Sequence, residues 1–356
     1  MRPFTPARAL LTAAAVLIAA GGLGAPALAR PRKPPVVEAP PPPPPPPPAG
    51  PVGLPDRMIA DAAGFQGFMM REAAMSPGFT SPQMVAQALK DGAAYEPRAF
   101  IRGAVAYGAI AALADQTFVA AIRAAGNSPE NRQAMVDDIA SNPIYVFQFK
   151  GSDAAAGLAR EAIGATALQL EQTGRLVRQA AYDVQHEGWS KLAVADLPGR
   201  LAAVEAESAS GIAPSADQVP VLQRAATGVQ ALPVTAQPLA PPYSPLVAHA
   251  LQVAAIAALG EATDARYDAL AAMGSDLETE LCLERAKRDL YQCLAVSKPN
   301  YEDIFCMGRH EMLQPAACIA AGAGVALPPE PAPPPPPTPV RTASRKVRRH
   351  HVVHHS

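Results

Sequence analysis

Aromatic residues are scarce in this chain: Phe, Trp and Tyr make up 5% of its 356 residues. A core therefore has to be built mostly from Ala, Leu, Val and Ile. Runs of β-branched residues alternating with polar ones are almost missing. The best is the short stretch Ile144 to Phe149, which argues against a sheet architecture. Net charge is nearly absent too. With 30 Lys and Arg against 31 Asp and Glu, the balance is −1 with His neutral. Such a balance gives no general pull toward nucleic acid. The chain has no G-x-S-x-G, no Walker loop, no H-E-x-x-H and no dinucleotide fingerprint. No cofactor is therefore implied, and no motif names a reaction.

Alanine and proline are what the chain has in plenty. Ala loses no side-chain entropy in a helix, so its enrichment favours helix. Proline reaches 41 residues, far above the usual ~5%, and much of it lies in two blocks, Pro40 to Pro48 and Pro331 to Pro339. These features predict an all-α protein. Its helical bundle would carry a disulfide-stapled C-terminal helical hairpin and be flanked by disordered proline-rich arms.

The N-terminus reads as a secretory signal. Arg2 and Arg8 supply positive charge, Ala9 to Leu23 is apolar, and Ala27-Leu28-Ala29 is a small-x-small cleavage site. Cleavage after Ala29 is expected. The rival is an uncleaved inner-membrane anchor over Leu10 to Ala29, about one bilayer span; Pro26 and the glycines at 21, 22 and 24 weigh against it. The expected organisation is a signal peptide at 1–29, a proline-rich arm at 30–55, and a helical domain at 56–228. A proline-rich linker at 229–244 and a helical subdomain at 245–323 follow, and a tail at 324–356 ends the chain. The Pro40–Pro48 run would form a polyproline rod of ~28 Å.

Within the folded part, Ser81-Pro82 and Pro97 open helices, and Gly103 to Ala114 is uncharged and apolar nearly all round. That predicts a central buried helix. Asn127-Ser128-Pro129-Glu130 opens another helix and Asn142-Pro143 closes it. Gly151-Ser152-Asp153 caps a long one running toward Trp189. Seven prolines break up residues 211–245, and Ser244-Pro245 opens an apolar helix that runs to about Glu261.

The four cysteines, Cys282, Cys293, Cys306 and Cys318, fall in one short window. In an exported chain they are expected to be oxidised. Asp276 to Val296 reads as a helix, Pro299-Asn300 as a turn, and Tyr301 to about Gln314 as the return helix. On a helix Cys282 and Cys293 stand about 16.5 Å apart on one face, too far for a disulfide. Cys293 and Cys306 are equidistant from the turn, and Cys282 and Cys318 nearly so. A nested pairing follows, Cys293–Cys306 inside and Cys282–Cys318 outside. Pro315 bends the return helix and leaves the outer bond the less determined of the two. The lack of any close cysteine pair weighs against zinc and against a catalytic dithiol.

For catalysis the richest neighbourhood is Tyr182 to Lys191. Read as helix, it places His186 three residues from Asp183 and four from Ser190, so His186 could act as a base toward Ser190. The competing reading, a polar helix stripe with Trp189 packed beneath, is favoured. His249 and His310 read as structural histidines. In the tail, Arg341, Arg345, Lys346, Arg348 and Arg349 suit contact with an anionic envelope surface. His350, His351, His354 and His355 suit Zn, Cu or Ni, but no scaffold holds them and no metal site is assigned.

Three stretches carry a resemblance. They are Gly92 to Arg98 with Arg102 to Tyr107, Tyr182 to Lys191, and Tyr291 to Cys306 through Pro299-Asn300-Tyr301-Glu302-Asp303. Together they resemble a family of exported proteobacterial helical proteins that has no assigned function. The resemblance covers most of residues 57–322. It implies an envelope or secreted location and supplies no catalytic residues. The functional expectation is a periplasmic or secreted helical binding or scaffold protein. The alternatives are an envelope hydrolase using the His186 region and a metal-handling protein using the tail histidines.

Overall fold

A computed structural model describes residues 49–329. The expected signal sequence, the Pro40–Pro48 run, the basic residues and the four histidines of the tail lie outside the described residues. In chain order the α-helices are α1 (Asp56–Ala73), α2 (Pro82–Ala93), α3 (Pro97–Ala112), α4 (Gln116–Ala125), α5 (Pro129–Ser141) and α6 (Ser152–Asp183). They continue with α7 (Leu197–Ser208), α8 (Gln218–Ala226), α9 (Pro245–Leu259), α10 (Tyr267–Met273), α11 (Leu277–Val296), α12 (Asn300–Cys306) and α13 (Gln314–Gly322). The fold is all-α, and among the described residues there is no β-strand beyond one isolated bridge. Ile144 to Phe149, the best strand candidate in the sequence, falls largely in a 3-10 helix over Pro143–Gln148.

Local chemistry starts these helices where the sequence places them. Ser81 accepts a hydrogen bond from the Met84 amide with Pro82 at the first helical position. Ser128 does the same for Asn131 ahead of Pro129. Glu96 accepts from the amides of Arg98 and Ala99 at the start of α3. Each cap satisfies amides that the first helical turn leaves without partners, typically worth about 1 kcal/mol.

Helices α3 and α9 are apolar nearly all round, and each is buried on almost every side. They pack against one another, and α1 and α6 close over α3. The scarce aromatics are concentrated rather than scattered. Phe65 and Phe68 of α1, Tyr95, and Phe100 and Tyr107 of α3 form one cluster with ring centroids 4.9–6.1 Å apart. Rings at these spacings gain about 0.5–1.5 kcal/mol per pair beyond their area burial. Few aromatics suffice because they are pooled where the two helices meet.

The 32-residue α6 is the spine. It contacts α1, α3, α9, α12 and α13. The prolines of 229–244 do prevent helix, but the segment is fastened down. The Leu239 amide donates to the Asp153 carbonyl at 2.9 Å, and Phe147 and Tyr243 meet edge to face at 4.5 Å. The helices after this segment share one apolar core with those before it. The expected division into a helical domain and a subdomain is therefore not matched by a division of the core. Among the described residues no single helix is long and apolar enough to cross a membrane.

Candidate functional site

The hairpin is built as its cysteine spacing predicts. Cys293–Cys306 and Cys282–Cys318 are both bonded, each with a Cα–Cα distance of 5.7 Å. The return arm differs from expectation. It is not one α-helix but α12, a π-helix over Met307–Leu313, and α13. Pro315 lies in the first turn of α13. A proline there has no N–H to bond the Glu311 carbonyl, and the wider π turn falls just ahead of it. The arm thus continues past Pro315 far enough for the outer disulfide to close. π-helical turns inside α-helices are frequent at functional sites, and this one carries the least ordinary residue of the fold.

That residue is Glu311. Its carboxyl is buried, and neither of its oxygens has a hydrogen-bond partner in the structure. It packs against the bare backbone of Gly92 in α2, where an added Cβ would stand 2.6 Å from Oε2. Burial raises its pKa well above the usual carboxylate value, and the nearby Glu72 pushes it further up. Glu72, in the last turn of α1, is also buried. Desolvation raises it to about 7, against the pull of Arg71, whose Nε donates to Oε1 at 3.2 Å. Lys287 of α11 completes the group. It donates to the Ala93 carbonyl at 3.0 Å, and burial lowers its pKa to about 7, opposed by Glu311 and Glu96. Helices α1 and α11 and the π-helix, packed with α2, thus bring two carboxyls and an amine together in the core, with burial driving each toward its neutral form.

The hairpin tip is held by the loop that follows α6. The Val194 amide donates to Lys298 at 2.9 Å, and the amides of Asn300 and Tyr301 donate to Leu192 and Ser190. Asn300 Nδ2 donates to the Leu192 carbonyl at 2.8 Å. From the other side Arg200 of α7 reaches in. Its guanidinium is nearly buried and donates to Asp303, to Ser297 Oγ and to the Leu294 carbonyl in the last turn of α11. A cation at a helix C-terminus meets the negative end of the helix dipole. Desolvation raises Asp303, while Ser297 and Arg200 hold it down.

Two grooves flank this tip. One, of about 510 Å³, lies between α2, α7 and the tip; its walls are largely apolar, with Lys90, Asp196, Arg200 and Asp303 among them. The other, of about 450 Å³, lies between the end of α6 and the hairpin. Tyr182, Tyr301 and Phe305 line it, with the Cys293–Cys306 disulfide in its wall. Tyr182 and Phe305 meet edge to face at 6.1 Å.

The residues weighed as a catalytic alternative, His186, Asp183 and Ser190, are not brought together as one group. Helix α6 ends at Asp183, and Val184–His186 is a single 3-10 turn, so the helical spacing assumed for His186 and Ser190 does not apply. Ser190 is buried, with its hydroxyl donating to the carbonyls of Val184 and Glu187 at 2.5 and 3.0 Å. The His186 ring is 78% exposed and contacts Glu187 at 3.0 Å. Asp183 accepts from Gln179 at 2.9 Å. Trp189 packs against the core. His249 bonds Gln252 at 2.9 Å and His310 bonds Gln314 at 2.8 Å. Among the described residues no group of three or more His, Cys, Asp or Glu is placed to hold a metal ion.

Sequence reasoning passed over Glu72, Lys287 and Glu311, although a signal was present. Glu72 falls seven residues after Phe65, Lys287 four after Leu283, and Glu311 seven after Ile304. Each charge sits at a position where the apolar stripe of its helix should continue.

No family model matches the chain, and no curated protein or solved structure matches it. The two disulfides point to an oxidising location outside the cytosol.

Proposed function

We propose that this chain is an exported binding or scaffold protein of the cell envelope, with the stapled hairpin as its recognition element. The observation that carries the proposal is that the Cys293–Cys306 disulfide lies in the wall of the aromatic groove beside the hairpin tip, and that Asn300 and Asp303 of the same tip line the second groove. Oxidation of Cys293 and Cys306 stiffens the wall of the aromatic groove itself. The apolar segment at residues 9–23 directs export, cleavage follows Ala29, and the mature chain works in the periplasm or beyond it. The cations from Arg341 to Arg349 hold it against an anionic surface, and the N-terminal run Pro40 to Pro48 serves as a spacer.

Fractionation of cells making the full chain tests this. The protein should be recovered from the envelope or periplasm with an intact mass that begins at Arg30 and with all four cysteines bridged. Recovery in the cytosol with free thiols overturns the proposal. A mass that retains residues 1–29 replaces the released protein with an anchored one. Deleting residues 338–356 should release the protein from membranes of anionic lipid, and raised salt should do the same.

A further inference from the structure

The course of the chain after α13 leads to an occupant for the aromatic groove. The three segments of the hairpin's return arm run along α6 from its C-terminal end toward its N-terminal half, and then the direction reverses. Gly324 makes the turn with φ of +68°, a conformation open to glycine at little cost. Its carbonyl accepts from Arg160 at 3.1 Å. Val325 and Leu327 pack on the core. The Pro328 carbonyl accepts from Arg175 Nη2 at 2.6 Å and the Pro329 carbonyl from Nη1 at 3.1 Å. Residues 324–329 thus travel back along α6, from the level of Arg160 to that of Arg175, in an extended course toward its C-terminal end.

Tyr182 lies seven residues beyond Arg175. On a helix that is about 10.5 Å further along and within about 20° of the same face. A polyproline helix advances ~3.1 Å per residue, so three or four more residues reach the level of Tyr182. Those residues are Glu330, Pro331, Ala332 and Pro333, and the last of them opens the five consecutive prolines Pro333 to Pro337. The surface they meet suits them. Tyr182 is 53% exposed, and Tyr301 and Phe305 stand beside it. Proline-rich segments dock in aromatic-lined grooves because their preformed helix loses little entropy on binding. Charge agrees along the onward path. Glu302 lines the groove, Asp183 ends α6 with Glu187 just past the 3-10 turn that follows, and Arg341 and Arg345 follow the prolines.

We propose that Pro333–Pro337 of this chain docks in its own groove between Tyr182, Tyr301 and Phe305, covering the Cys293–Cys306 disulfide. Covalent tethering gives the segment an effective concentration of order mM, so even weak intrinsic affinity fills the groove. The tail cations are then carried away from the tip of the hairpin rather than from a free end. This inference does not depend on the export reading.

Photo-crosslinking in the full chain tests it. Tyr182→benzoylphenylalanine keeps an aromatic ring at an exposed position, and the mapped disulfides verify the fold. Irradiation should yield adducts within one chain, concentrated on residues 331–338. Replacing the run by Pro333→Ser, Pro334→Ser, Pro335→Ser, Pro336→Ser and Pro337→Ser together should lower their yield at least fivefold. In the parent chain the disulfide Cys293–Cys306 should be reduced by dithiothreitol several-fold more slowly than in the five-serine variant. Adducts elsewhere in the chain, adducts joining isotopically labelled to unlabelled copies, or equal yield and equal reduction rate in the two chains each overturn the proposal. The second outcome would assign the groove to another copy's tail.

Discussion

The ammonium of Lys287 stands 3.8 Å from the centre of the Tyr95 ring. It does so inside a core that also holds Glu72 and Glu311. The ring face offers a cation a partly apolar partner, and the Ala93 carbonyl offers a hydrogen bond. Neither replaces full hydration, so burial still drives Lys287 toward its neutral form.

Stability should follow pH in two opposite directions because of this group. An unfolded Glu72 ionises near 4.5, whereas the folded one holds its proton to about 7. Between these values the folded state binds more protons, so stability falls as pH rises, by about 3 kcal/mol for this carboxyl alone. Glu311 acts with the same sign. Lys287 is opposite: the unfolded amine keeps its proton to 10.5 and the folded one loses it near 7, so stability rises again above neutrality. Urea unfolding from pH 5 to pH 9 should show a minimum near pH 7. Glu311→Gln should make the acid-side fall shallower, and Lys287→Met should abolish the alkaline rise. An unchanged curve in both variants would show that these groups are hydrated in solution.

Gly92→Ala should destabilise the fold by about 1–3 kcal/mol, the usual cost of forcing an extra carbon into a packed site. The new Cβ would meet the Glu311 carboxylate oxygen at 2.6 Å. Most of the loss should disappear in the double variant Gly92→Ala with Glu311→Ala. Chemical denaturation of the three proteins would measure the coupling.

Arg200→Met should cost about 3–5 kcal/mol, because it leaves Asp303 buried without its cation. Adding Asp303→Asn should recover a part of that loss. Hydrogen exchange should show α7 opening first, since Arg200 joins α7 to the hairpin tip. Protection of α7 unchanged by Arg200→Met would refute that role.

Removing the disulfides should separate their contributions. Cys293→Ala with Cys306→Ala opens a loop with a sequence separation of 13, and Cys282→Ala with Cys318→Ala one of 36. Chain-entropy estimates give about 3 kcal/mol for the first and about 4 for the second. Thermal unfolding should rank the outer pair as the larger loss.

How far the sequence could be read depended on the range of the interaction. Ser81 with Pro82 and Ser128 with Pro129 mark helix starts through contacts three residues long. Such contacts are visible in a linear string. The same holds for the cysteines, where helical rise and a single turn limit which sulfurs can meet. The long helix read toward Trp189 ends instead at Asp183. The loop that follows is drawn away to the hairpin tip, where Asn300 and Tyr301 bond Leu192 and Ser190 across more than a hundred residues. No local signal carries that pull.

By itself the sequence determined the helical class, the two core helices and the order of the disulfides. Each of these rests on periodicity or on spacing within one element or one turn. Only the tertiary structure decided that Glu72, Lys287 and Glu311 meet, that the prolines of 229–244 lie on a shared core, and that residues 324–329 turn back along α6. These outcomes depend on which helix faces cover one another. Many helices offer similar apolar stripes, so that choice is made by packing the whole chain and not by any segment of it.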